Sequence, residues 1–128
     1  MTPETAALLA AIILLGLAVF HAALALGAPW GAFAWGGEAK GALPPRLQMG
    51  SALMTPLLGA MALMVLVRGG WLYAGQERAM VWPVWAIFCF LVTMMFGSFR
   101  SPSIAEKRRM GPVLLAGAAL VGYLALNG

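Results

Sequence analysis

His21–Arg46 reads HAALALGAPWGAFAWGGEAKGALPPR. It starts as the tail of an apolar run and passes through a Trp/Gly segment. Its first charges are Glu38 and Lys40, and it leaves through Pro44-Pro45-Arg46. It holds the only histidine and two of the five tryptophans. What flanks it decides how it is read. Thr5–Gly27 is uncharged over 23 residues. At ~1.5 Å per helical residue that crosses a hydrocarbon core of roughly 30 Å. Gln48–Val67 is a second uncharged apolar run. The stretch is therefore a connector between two membrane spans, and the fold is built outward from it.

The composition agrees. Apolar residues make up 62% and charged residues 9% of the 128, against roughly 45–50% and about 25% in ordinary globular chains. Twelve charged side chains cannot cover a water-facing surface of this size, so lipid must be the solvent for most of it. The net charge of +4 does not point to nucleic acid. All eight Lys and Arg, at 40, 46, 68, 78, 100 and 107–109, fall in connectors rather than along a phosphate-tracking face. A single cysteine, Cys89, excludes an intrachain disulfide and a CxxC redox pair.

Along the chain, Thr2 caps, Pro3 suits the first helical position, and Glu4 favours the positive end of the helix dipole. Reading the first run as a signal peptide cleaved near Ala23-Leu24-Ala25 suits neither its length nor the lack of Lys or Arg before it. Four spans follow, at about 5–27, 48–67, 80–99 and 110–127. Together they form one all-α domain: an integral membrane four-helix bundle with an interfacial Trp/Gly connector between spans one and two. Gly and Pro keep that connector from forming a long helix, and Trp30, Phe33 and Trp35 suit the headgroup boundary. In span two, Ser51, Thr55 and Gly59 make a row of small residues that invites close helix approach, and Pro56 predicts a kink. Ser103-Ile104-Ala105-Glu106 fits a capping box. The candidate interaction or ligand face comprises His21, Trp30, Trp35, Ser51, Thr55, Pro56, Gly59 and Trp85.

Four spans put both termini on one side. The first and third connectors then share the other side and carry Lys40, Arg46, Arg100, Lys107, Arg108 and Arg109, against Arg68 and Arg78 opposite. The positive-inside rule makes those six residues cytoplasmic headgroup contacts in an inner membrane, with both termini outside.

His21-Ala22-Ala23-Leu24-Ala25, Gly27-Ala28-Pro29-Trp30-Gly31, Trp35-Gly36-Gly37 and Leu43-Pro44-Pro45-Arg46-Leu47 form a pattern, with a later Ser-x-x-Glu and Gly111-Pro112-Val113. Together they resemble a family of small bacterial four-helix membrane proteins without an established activity. The resemblance implies a fold and a location and transfers no functional residue.

Chemistry is sparse. None of the predicted spans contains Asp, Glu, Lys or Arg, the usual mark of proton relays. That counts against an antiporter like the small multidrug-resistance proteins. His21 lies shallowly near the cytoplasmic boundary, where a bond to Ser98 or to a connector carbonyl would satisfy it. No cofactor is expected; haem at His21 needs a ligand from another chain. Gln76-Glu77-Arg78 only faintly matches the Glu-Arg signature of membrane glutathione enzymes, and serine hydrolysis lacks an Asp anywhere. The sequence therefore points away from an enzyme. It favours an accessory subunit packing against another membrane protein or itself, in contact with membrane lipids. A binder or transporter of a small apolar ligand or lipid is the alternative, and an enzyme with a membrane substrate comes third. Reporter fusions after Lys40 and after Gly75 should land on opposite sides of the membrane, the first of them in the cytoplasm.

Overall fold

A computed structural model describes all 128 residues. The chain is all-helical, with no strand. Its four helices are α1 (Pro3–Ala25), α2 (Pro45–Arg68), α3 (Val81–Phe99) and α4 (Gly111–Asn127). With their adjoining turns, all four are long and apolar enough to cross a membrane.

Helix α1 starts as its residues dictate. The Thr2 side chain accepts the Thr5 amide at 3.2 Å, and Pro3 takes the first turn. Its inner face is Ala7, Ala10, Ala11, Leu14, Leu17 and Ala18, at helical spacing. The alanines let neighbouring helices come close, and α1 packs broadly against both α2 and α4. Helix α3 packs mainly on α4. Of the neighbouring pairs in the ring, α2 and α3 touch least, which leaves a loose seam between them. The outward faces are apolar too: Leu8, Ile12, Leu15 and Val19 form an exposed stripe on α1, and Leu53 and Leu57 do so on α2. A helix apolar on both faces belongs in a bilayer or a large core.

Helix α2 continues through Pro56, which deprives the Ala52 carbonyl of its usual amide partner. The start of the fourth helix is less regular. Ser103 accepts the Glu106 amide at 3.3 Å, as a cap should. The chain then makes a wide π turn over Glu106–Met110 before α4. Pro112, which cannot donate back to Arg108, follows directly.

The first connector is ordered by its own packing. It folds back beneath the bundle, burying Ala34 and Leu43 against Leu24 at the end of α1. The Gly31 amide donates to the Gly41 carbonyl at 2.9 Å and closes the connector into a loop. The loop also reaches the third connector, where the Ser103 hydroxyl donates to the Ala32 carbonyl at 2.6 Å. These two connectors share one end of the bundle. The second connector and both termini share the other, where the Trp71 indole donates to the Glu4 carbonyl and Tyr123 to that of Met1.

Gly31 tests whether this closed loop matters. A Cβ there would collide with the Ala39 and Gly41 carbonyl oxygens, whereas one at Gly41 would meet nothing within 4 Å. Gly31→Ala should therefore destabilise the fold by about 1–3 kcal/mol, and Gly41→Ala should not. Thermal unfolding in detergent, followed by circular dichroism, compares the two.

Candidate site at the connector end of the bundle

Three side chains from separate elements meet on one hydroxyl. The Trp35 indole N–H donates to Ser51 Oγ at 2.9 Å, and His21 Nδ1 lies 3.1 Å from the same oxygen. The local sequence explains the meeting. His21 continues the buried face of α1, one turn beyond Leu17 and Ala18. Ser51 is fully buried on α2 and is small enough to leave room for two rings. The Trp35 ring lies over Gly50, where a Cβ would come within 3.0 Å of it. Trp35 itself has φ 54°, followed by Gly36 at 73° and Gly37 at 68°. A left-handed non-glycine residue costs about 1–3 kcal/mol, and the indole bond offsets part of that. Phe20 meets the His21 ring edge-on at 5.4 Å and stacks on Trp30 at 6.3 Å. Ser51 accepts from Trp35 and has one hydrogen to give. Given to Nδ1, it leaves a neutral imidazole with its proton on Nε2.

A second polar cluster lies alongside. Glu106 is buried, with 7% of its surface exposed. Ser98 Oγ donates to Oε1 at 3.3 Å and Ser101 Oγ to Oε2 at 3.1 Å. Gly37 packs so closely on Ser103 that a Cβ would lie 2.7 Å from Ser103 Oγ, which adds a steric need for glycine to the conformational one.

The two clusters border one cavity of about 270 Å³. Its remaining wall is mainly apolar: Leu17 and Phe20 from α1, Met54 and Leu58 from α2, and Phe90, Leu91 and Met94 from α3. It therefore lies along the loose α2–α3 seam. Met94 and Gly97 both line it and are exposed, so it opens on the outer surface of the bundle.

Several expectations change here. His21 pairs with Ser51, not with Ser98 or a connector carbonyl. Ser98 is taken by Glu106. The helical stretch leading into α4 begins at Glu106, just before the span read at about 110–127, so an acid sits buried beside that span's start. Glu106 does not close the capping box by reaching back to the Ser103 amide, because that amide donates to Ser101 Oγ. The capping pattern concealed the role of Glu106. The signal in the sequence was the run of hydroxyls, Ser98, Ser101 and Ser103, before a lone acid.

The remaining candidate residues are dispersed. Thr55 turns its hydroxyl back onto the Ser51 carbonyl at 3.0 Å. Pro56 is exposed, and the Cβ position of Gly59 has nothing within 4 Å. Trp85 lies more than three turns before Ser98 on α3, against Phe88, and does not line the cavity. Trp30 remains 45% exposed at the rim. Of the six basic residues, Arg46 pairs with Glu38 at 2.7 Å, and Lys40, Arg100, Lys107, Arg108 and Arg109 are exposed around the same end. No group of three or more His, Cys, Asp or Glu side chains forms a metal-binding arrangement.

Comparison with protein-family models, with curated proteins and with solved structures gives no match.

Ser51→Ala removes the shared partner of His21 and Trp35 and should cost about 1–3 kcal/mol of stability. Thr55→Ala, which loses only a bond within its own helix, should cost less. A double-mutant cycle of Ser51→Ala with Trp35→Phe, read by thermal unfolding, should show coupling between the two sites.

Proposed function

We propose that this chain is a four-span integral membrane protein that binds a small amphipathic molecule in the cavity at its connector end. The observation carrying this reading is the cavity itself. It has an apolar wall, and its ionisable side chains, His21 and Glu106, both lie near the connectors. Small-molecule sites usually combine a mainly apolar lining with a few polar groups that fix orientation. The exposed margin at Met94 and Gly97 supports access for a ligand dissolved in the bilayer.

The rest of the proposal follows from charge and pattern. The membrane is a bacterial inner membrane, with the six-residue basic end in the cytoplasm and both termini outside. The chain belongs with the small bacterial four-helix membrane proteins that it resembles. We rank ligand binding above the accessory-subunit role. The small-residue row that favoured a partner is divided: Ser51 is used inside the bundle, and Gly59 faces open space. Catalysis ranks lower, because no nucleophile is paired with His21 beyond the Ser51 hydroxyl that already serves Trp35.

Native mass spectrometry of the full-length chain, extracted in mild detergent, tests the reading. A defined small molecule should co-purify and be lost from Leu58→Trp, whose larger side chain takes up cavity volume. A chain that carries nothing and that gains no thermal stability from small aromatic probes would overturn it.

A further inference from the structure

Glu106 is the one acidic side chain that the molecule buries. It is 93% buried, the complement of its 7% exposure, and it lines a mainly apolar cavity. The only ion pair in the chain is Arg46–Glu38, at the exposed rim. Lys107, Arg108 and Arg109 follow Glu106 directly, yet all three are exposed. The carboxylate is held by two hydroxyls alone. An ionised carboxylate offers about four acceptor positions, and these two donors leave room for more. Removing a carboxylate from water costs several kcal/mol unless a counter-charge returns it.

The surrounding surface suits one kind of counter-charge. Phe20, Phe33, Trp35 and Phe90 line the same cavity. Aromatic faces attract a desolvated cation, and organic ammonium groups are the characteristic guests of such settings. The other titratable group in the cavity, His21, has its Nδ1 engaged with Ser51 and supplies no fixed positive charge. With a neutral or anionic ligand, burial favours the uncharged acid at Glu106, whereas a cationic head beside it favours the carboxylate.

We infer that the cavity selects small amphipathic organic cations, with the positive head beside Glu106 and the apolar body among the aromatic and Met side chains of α1, α2 and α3. This deepens the ligand-binding reading above and rests on it.

Two probes of one shape separate the ideas: benzyltrimethylammonium and its neutral isostere, neopentylbenzene. Affinity is read from the rise of the unfolding midpoint with probe concentration, using the full-length chain in a non-ionic detergent. The cation should bind at least tenfold more tightly than the isostere. Glu106→Gln should remove that preference, while Glu38→Gln, at the exposed rim, should retain it. Equal affinity for the two probes on the unaltered chain overturns the inference but leaves a ligand site. That comparison needs no variant, so it stands even if Glu106→Gln does not fold. Cation binding unchanged in a folded Glu106→Gln chain also overturns it. Binding of neither probe removes this inference and the ligand-binding reading together.

Discussion

A carboxylate buried at the end of an apolar bundle imposes conditions on everything near it. Each of its lone pairs lost water on folding and needs a donor in return. At Glu106 those donors come from two places: the last turn of α3 (Ser98) and the start of the third connector (Ser101). Ser103, two residues on, ties the third connector to Ala32 of the first, which then turns left-handed through Trp35, Gly36 and Gly37. That turn sets Trp35 over Gly50 and onto Ser51, and Ser51 in turn holds His21. The connector is therefore shaped by polar accounting as much as by burial of Ala34 and Leu43.

The loose seam between α2 and α3 has a separate cause. Helix α1 carries the alanine-rich face and sits between α2 and α4, so close packing is concentrated around it. Helix α3 lines the cavity with bulky residues, Phe90, Leu91 and Met94. Bulky side chains hold backbones apart and leave volume between their tips, whereas small ones let helices meet. The cavity occupies the place where the small residues run out.

Much of this architecture was legible in the sequence. The uncharged runs located all four helices within a few residues, because in so apolar a chain the charges and the Gly and Pro clusters mark the ends. The capping of α1 by Thr2 and Pro3 is local chemistry and was readable as such. His21, Trp35 and Ser51 were all singled out, but their convergence on one hydroxyl was not, since it depends on how α1, α2 and the connector pack. Glu106 was hidden by a local pattern that was half correct: Ser103 does cap, while the acid turns inward to donors whose positions no local rule fixes. Trp85 looked like a companion of His21 because both are rare residues near apolar spans. Counting turns along α3 from Ser98 separates them.

The inward turn of Glu106 also changes what the outside of the bundle presents. Counted along the chain, the connector end carries six basic residues and two acids, Glu38 and Glu106. With one acid buried and the other paired to Arg46, the outer rim is left with Lys40, Arg100, Lys107, Arg108 and Arg109 unopposed. At a lipid surface each such charge contributes about 1 kcal/mol of attraction toward anionic headgroups. The molecule thus separates its charge radially, negative at the centre and positive at the circumference. This end of the protein therefore attracts anions and repels cations that approach it from water.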